Sequence, residues 1–202
     1  MNVRARAAVL AGPLAVAALL GTAGCSTGAQ EPRPAPASVP ASSAAALPAT
    51  PPPLRLPVVR AGQPCPVSTA HAWTGWGQAT RVLGEGPLYP IADYFRRDGA
   101  TLELRPDDRT ADGTYEKKVR WLGGGYRGQV LLRAARLDGP GSARAQFSYF
   151  GERRGDAYYA ELTEAENDLP ATTTVSGPGC FAYQVDGANL RETIVFRAVA
   201  VP

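Results

Sequence analysis

The chain has 202 residues, with 21 basic residues against 18 acidic residues, one histidine and a formal net charge of +3 at pH 7. Arg4 and Arg6 lie in an N-terminal segment that we expect to be removed, so the mature chain is close to neutral. A charge this balanced, with no basic cluster, argues against a nucleic-acid partner. Beyond the N-terminal region, the chain has the length of one ordinary domain.

The N-terminus has the pattern of an export signal. Two arginines lie within residues 1–6, and residues 7–20 are apolar, uncharged and too short for a membrane-spanning helix. Small residues then precede Cys25, in a pattern that resembles the lipobox of bacterial lipoproteins. The resemblance implies that residues 1–24 are a signal peptide and that Cys25 receives a lipid. The alternative is an ordinary secretory signal that is cleaved near Ala23.

The next segment is rich in proline, alanine and serine. Residues 26–57 hold few large apolar side chains, so they cannot bury enough surface to offset the loss of chain entropy. We predict a disordered tether over 25–57, counted from the lipidated cysteine, followed by a folded domain over 58–202. The alternative for the tether is a proline-rich ligand for a domain with an aromatic groove.

Two cysteines remain after the lipidated one. Cys65 and Cys180 bracket nearly the whole domain, and outside the cytoplasm disulfides persist. Two cysteines with a single histidine cannot form a tetrahedral zinc site, so no metal is expected. The sequence therefore predicts a disulfide between Cys65 and Cys180.

The domain is predicted to be all-β. Asp-Gly pairs, which favour type I′ hairpin turns, recur at residues 98–99, 112–113, 138–139 and 186–187. Short runs suited to strands lie between them: 101–105, 115–122, 129–137, 143–150, 180–185 and 191–199. Many short antiparallel strands with glycine turns favour an immunoglobulin-like two-sheet sandwich.

Two segments allow a finer prediction. In CFAYQV, alternation places Phe181, Tyr183 and Val185 on one face, which we expect to be the core side. In DAYYAELTEAENDL, Tyr158, Leu162 and later apolar residues recur at helical spacing, which predicts one short surface helix near 157–167.

Three blocks of the sequence resemble a set of uncharacterised secreted lipoproteins from actinobacteria: GEGPLYPI (84–91), WLGGGYRGQVLLRAARLDGPG (121–141) and PGCFAYQVDGANLRETIVFRA (178–198). The last block departs from the family pattern at Phe181, where tyrosine is usual, and at Leu190, where an aromatic residue is usual. The resemblance implies a shared fold and an extracytoplasmic location. It implies no activity, because the family has none assigned.

One group of residues is a candidate for ligand contact. His71, Trp73 and Trp76 lie together in HAWTGWG, and indole faces pack well on sugar rings. The alternative is that the tryptophans cap one end of the sandwich. His71 is the only histidine, so any catalytic triad would have to use it.

Three further motifs receive structural interpretations. GGGYRG (123–128) lacks the GK[ST] ending of a phosphate loop, and DDRTADG (107–113) has Val119 where a calcium loop needs a bidentate glutamate. The acidic run ELTEAEND (161–168) has the composition of a solvated face, although paired carboxylates can also hydrolyse glycosides. No cofactor is predicted.

The sequence thus predicts a lipoprotein on the outer face of the cytoplasmic membrane. The leading hypothesis is a non-catalytic binding or structural module, with a wall polymer or another envelope protein as partner. A hydrolase that acts on envelope glycan through carboxylates is one alternative, and a carrier of a small apolar ligand is another. The carrier would need a sandwich whose interior is left unfilled.

Overall fold

The structure is a computed structural model that describes Leu47, residues 50–96 and residues 98–202. The signal segment, Cys25 and the tether up to residue 46 lie outside the described residues, all of which belong to one unit, 42–202. The strands are β1 Ala70–Ala72, β2 Arg81–Leu83, β3 Leu88–Pro90, β4 Thr101–Leu104, β5 Tyr115–Lys118, β6 Trp121–Gly124, β7 Gly128–Arg136, β8 Ala143–Phe147, β9 Glu152–Arg154, β10 Ala157–Leu162, β11 Glu166–Leu169, β12 Ala171–Val175, β13 Gly179–Gly187 and β14 Leu190–Ala200. Two short 3₁₀ helices span Ala92–Tyr94 and Pro106–Asp108.

The strands form one large sheet and three small ones. The large sheet has the order β4-β14-β13-β7-β10-β9, two three-stranded sheets have the orders β11-β6-β3 and β5-β12-β8, and β1 pairs with β2. All of these pairs are antiparallel except β14 with β4, which is parallel. The all-β prediction is confirmed. No helix in the described part of the chain is long and apolar enough to cross a membrane.

The core lies between the six-stranded sheet and the two three-stranded sheets. In β13, Phe181, Tyr183 and Val185 face this core, as the alternation predicted, while Cys180 and Ala182 belong to a separate apolar cluster on the other face. We call the face that carries Cys180 and Ala182 the outer face of the six-stranded sheet.

Aromatic side chains fill the interior of the sandwich. The ring of Trp121 meets the ring of Tyr183 edge-on at 5.0 Å between centroids, and Tyr183 stacks on Phe196 at 4.6 Å. Trp121 also meets Phe147 edge-on at 6.4 Å. The Tyr183 hydroxyl lies 2.7 Å from Oγ1 of Thr173, which satisfies this buried polar group.

The helix predicted near 157–167 is wrong. Residues Ala157–Leu162 form β10, which pairs with β7 and β9, and Glu166–Leu169 form β11 in another sheet. A separation of four residues brings side chains to one face of a helix, but it also keeps them on one face of a strand. Tyr158 and Leu162 share the inner face of β10 for this second reason.

The type I′ prediction for the Asp-Gly pairs is also wrong. Apart from glycine, none of the described residues has a positive φ, whereas a type I′ turn needs a positive φ at both central residues. Asp186 and Gly187 lie within β13, and the hairpin to β14 turns through residues 188–189. The predicted run 115–122 divides between β5 and β6, which belong to different sheets.

The predicted disulfide is confirmed. Cys65 and Cys180 are joined, with 5.4 Å between their Cα atoms and 115 residues of separation. Ser68 also holds this segment, because its backbone N–H donates to the carbonyl of Val195 and its hydroxyl accepts from the N–H of Val195. The disulfide is therefore not the only link between this segment and the six-stranded sheet.

A segment before the predicted domain boundary contacts the sheet. We call residues 50–59 the strap. Within the strap, Pro52 and Arg55 bond to side chains of the outer face, and Leu56 packs against the apolar cluster that contains Cys180. These contacts lie ahead of Val58, where we placed the start of the domain.

Candidate functional site

The aromatic residues predicted as ligand contacts come together over the face of the β11-β6-β3 sheet that carries Leu122 and points away from the core. His71 is exposed on β1, and its Nε2–H donates to the carbonyl of Gly84 at 2.8 Å. Trp73 and Trp76, in the loop between β1 and β2, are half-buried. Tyr89 on β3 joins them, with its ring centroid 5.0 Å from that of Trp73 and 6.1 Å from that of His71. We call these four residues the aromatic patch.

Each tryptophan side chain already donates its one N–H to a backbone carbonyl of the protein. The indole N–H of Trp73 donates to the carbonyl of Trp76 at 2.7 Å, and that of Trp76 donates to the carbonyl of Gly123 at 3.0 Å. A Cβ on Gly75 would lie 2.4 Å from the Trp73 ring, so the indole rests directly on this backbone. These contacts give the two tryptophans a structural role, in which they cover a face of the small sheet.

A buried carboxyl lies beneath the loop that leads to Tyr89. Glu192 on β14 is 6% exposed, and its Oε1 accepts the backbone N–H of Gly86 at 2.8 Å. Its Oε2 has no hydrogen-bond partner among the described residues. A Cβ on Gly84 would lie 2.2 Å from Oε1 of Glu192, so the loop closes over the carboxyl only because this position is glycine.

Burial changes the ionisation of this group. Burial raises the pKa of Glu192 to about 7, and the negative charge of Glu85 adds to the rise, although backbone N–H groups of the loop oppose it. Burial and the charges of Glu192 and Glu85 also raise the pKa of Tyr89. Glu192 was not among the predicted site residues, because it lies in the run 191–199 that we interpreted only as a strand.

A large groove lies beside β5. Its volume is about 1040 Å³, and its walls come from the segment around the first 3₁₀ helix, from β4, from the second 3₁₀ helix and from β5. Its lining is mostly charged, with two aromatic side chains: Asp93, Tyr94, Phe95, Arg96, Asp98, Glu103, Arg105, Asp108, Glu116, Lys117 and Lys118. We call this the β5 groove. None of its residues was predicted as a site residue.

Most charges in the β5 groove are paired. Lys117 donates to Asp108 at 2.6 Å, and Glu103 accepts from Arg96 at 2.5 Å. The hydrogen bond from Arg96 holds the pKa of Glu103 below its usual value. Burial raises the pKa of Asp108, but hydrogen bonds from Lys117 and from the backbone N–H of Arg105, together with the charges of these two residues, lower it overall.

Two opposite charges in the groove are free in the part of the chain that the structure describes. Glu116 and Lys118 are exposed on the same face of β5, two residues apart, and neither has an ion-pair partner in the described part of the chain. Tyr94, with 42% of its surface exposed, adds an aromatic face to the lining. Among its described residues, the groove therefore offers one free carboxylate, one free ammonium group and one accessible ring.

Hydrogen bonds between Asp93 and Thr80 connect the β5 groove to the loop of the aromatic patch. The carboxylate of Asp93, which lines the groove, accepts the backbone N–H of Thr80 at 3.0 Å and its hydroxyl at 2.7 Å. Thr80 ends the loop that carries Trp73 and Trp76. Burial raises the pKa of Asp93, but the hydrogen bonds from Thr80, together with the charge and the backbone N–H of Arg81, lower it overall.

The remaining sequence motifs have structural roles. GGGYRG connects β6 to β7, and the hydroxyl of Tyr126 donates to the carbonyl of Gln129 at 2.9 Å. In DDRTADG, hydrogen bonds from Thr110 and Thr114 lower the pKa of Asp112 to about 2. The Asp112 carboxylate thus stabilises the turn in which it lies. No group of histidine, cysteine, aspartate and glutamate in the described residues could hold a metal ion.

The acidic run 161–168 is spread over β10, β11 and the turn between them. Glu161, Glu164 and Glu166 are exposed, while Asp168 forms a two-bond ion pair with Arg120. This is the solvated face that the composition predicted.

Comparison with family models, with curated proteins and with solved structures finds no match to this chain.

Proposed function

We propose that this protein is a lipid-anchored binding protein of the cell envelope, without catalytic activity, whose partner is a wall polymer or another envelope protein. The export signal and Cys25 in its lipobox-like context support the anchor. The disulfide between Cys65 and Cys180 suits a chain that folds outside the cytoplasm, where such bonds persist.

The β5 groove is the observation that carries the binding role. Ligand sites are concave, and a volume of about 1040 Å³ is at the upper end of the usual range. Glu116 and Lys118 present opposite charges that have no ion-pair partner among the described residues. A ligand that carries both a cationic and an anionic group, such as a wall peptide or a segment of another protein, would pair with both.

The two alternatives receive less support. A retaining or inverting glycosidase needs two carboxyl groups that face each other across a cleft. Glu192 has the raised pKa of a general acid, but it lies beneath the loop 84–88 and does not line the β5 groove. A carrier of an apolar ligand needs an open interior, and here aromatic side chains such as Trp121 and Tyr183 fill it.

The binding role is tested by pull-down of the mature protein against isolated cell wall and against membrane extract. Lys118→Glu, Glu116→Lys and Tyr94→Ala should each reduce retention at least several-fold if the groove holds the partner. Arg127→Glu is the matched control, because Arg127 is exposed and lies outside the groove. Equal retention of all three groove variants and wild type would overturn the assignment of the groove.

The anchor is tested by Cys25→Ser. Because only Cys25 lies in the lipobox-like context, this variant should move from the membrane fraction to the medium or remain unprocessed. Processing and fractionation like those of wild type would show that the lipoprotein hypothesis is wrong.

A further inference from the structure

The strap, residues 50–59, crosses the outer face of the six-stranded sheet without joining it as a strand. Its described hydrogen bonds to the sheet run between its own backbone and side chains of β7, β13 and β14. No strand of the sheet pairs with it. The strap could therefore leave the sheet without breaking any ladder hydrogen bond.

Two buried polar side chains form hydrogen bonds with the backbone of the strap. Nη1 of Arg133 donates to the carbonyl of Pro52 at 2.6 Å, and Oε1 of Gln184 accepts the N–H of Arg55 at 2.7 Å. Arg133 is 3% exposed and Gln184 is fully buried. Since proline has no N–H, the bond to Gln184 requires a residue other than proline three positions after Pro52.

The same two side chains are held in place by a third. The carboxylate of Asp186 accepts from Nη2 of Arg133 at 2.8 Å and from Nε2 of Gln184 at 2.8 Å. Because each group is bonded on its other side, the positions that contact the strap are preorganised. The side chains that bind the strap are therefore fixed in position by bonds within the sheet.

Apolar contacts hold the second half of the strap on the sheet. Val59 is 8% exposed and packs with Leu56 against the cluster of Cys180, Ala182 and Val195. Val58, between them, is 83% exposed. The site thus recognises an extended segment with a carbonyl at one position, an N–H three residues later and apolar side chains four and seven residues later.

We propose that the outer face of the six-stranded sheet is a binding site for an extended, proline-rich polypeptide segment, filled in cis by the strap and open to the strap of a second copy of this chain. The site is defined by contacts to residues 52–59, and every copy carries a segment that satisfies them.

The connection to the rest of the domain permits this exchange. A turn at 60–63, closed by a bond from the N–H of Gln63 to the carbonyl of Arg60, joins the strap to Cys65. The disulfide to Cys180 fixes the chain from Cys65 onward. Only the strap and the residues before it can therefore move to another copy, where they would make the same contacts.

The strap of a second copy must compete with the cis strap for the same site. A segment tethered by a short turn has an effective concentration of the order of millimolar at its own site. A strap in trans must compete with it, so exchange requires either a high local concentration of copies or a weakened cis contact.

The first test measures a labelled peptide, TPPPLRLPVVR (residues 50–60), by fluorescence anisotropy against the full mature chain. Arg55→Pro in the chain removes the N–H that Gln184 accepts, so it should vacate the site and raise peptide affinity at least tenfold over wild type. Leu56→Asp is a second variant with the same expected effect. Val58→Ala is the matched control and should behave like wild type, because Val58 faces solvent.

The outcomes are distinguishable. A peptide that itself carries Arg55→Pro should bind none of these chains. If both strap variants keep wild-type circular dichroism and a closed disulfide, yet bind the wild-type peptide no better than wild type does, the site does not accept a segment in trans and the proposal is wrong.

The second test identifies the copy that supplies the strap. Leu56→Cys combined with Val195→Cys places one thiol on the strap and one on the sheet, in residues that pack in one cluster. In a mixture of two differently tagged chains, oxidation should give interchain crosslinks whose fraction rises with protein concentration. Intrachain bonds alone, at every concentration, would overturn the second copy as the occupant.

Discussion

The guanidinium of Arg133 lies 2.8 Å from the carboxylate of Asp186, and both side chains are almost fully buried on the outer face of the six-stranded sheet. Nε of Arg191 donates to the other oxygen of Asp186 at 2.8 Å. An ion pair on the surface of a sheet is normally solvated and contributes little. This pair is buried because the strap covers it, and its polar atoms are satisfied in part by the strap's backbone.

Asp186→Ala should destabilise the domain by about 3–5 kcal/mol, since it leaves the Arg133 guanidinium buried without a counter-charge. Urea unfolding measures the loss. Glu152→Ala is the control: the pair of Glu152 with Arg154 is more than half exposed, and its removal should cost less than about 0.5 kcal/mol. Replacing Arg133 and Asp186 together by Met and Leu should recover much of the loss; if it recovers none, the unpaired charge is not the cause.

Stability should fall as the pH rises from about 4.5 to about 7. The pKa of Glu192 is raised from 4.5 to about 7 on folding, so the folded state holds a proton that the unfolded state has lost. The contribution is complete below the unfolded pKa and is lost as the pH passes the folded pKa, a change of about 3 kcal/mol.

Glu192→Gln keeps an oxygen for the N–H of Gly86 and removes the titration, so its unfolding free energy should be flat over this range. Carboxylates with a lowered pKa, such as Asp186, lose their contribution only as the pH falls below about 4. Urea titrations at several pH values provide the measurement. A wild-type profile parallel to that of the variant would show that Glu192 does not titrate in this window.

Reduction of the disulfide should lower stability by about 4–5 kcal/mol in the chain-entropy model, because the bond closes a loop of 115 residues. The β content should survive, since the bonds between Ser68 and Val195 and the sheet ladders do not depend on the disulfide. Circular dichroism with and without reductant measures both effects. Labelling of Cys65 by maleimide in the folded Cys180→Ala variant, and no labelling of unreduced wild type, is the accompanying control.

Trp76→Phe should separate the two interpretations of the aromatic patch. It removes the N–H that donates to the carbonyl of Gly123 while keeping an aromatic ring, so a capping role predicts a loss of about 1 kcal/mol in stability. The same role predicts unchanged retention on cell wall. A loss of retention with unchanged stability would instead identify Trp76 as a ligand contact.

Features that depend on local pattern were predictable from the sequence. The alternation in CFAYQV placed Phe181, Tyr183 and Val185 on the core face because neighbouring strand residues point to opposite sides. The partnership of Cys65 and Cys180 followed from counting cysteines in an exported chain. The helix near 157–167 failed because a spacing of four residues fits one face of a strand as well as one face of a helix.

The sequence by itself determined the all-β class, the core face of β13 and the disulfide, because each depends on spacing or number along one chain. The burial of Glu192 and the groove between the 3₁₀ helices and β5 were decided only by tertiary structure. So was the strap over Arg133, Gln184 and Asp186. A carboxyl or guanidinium has the same local sequence signature whether water or protein surrounds it. Its pKa and its partners depend on which distant segment folds over it, and that contact arises only when the sheets and the strap pack together.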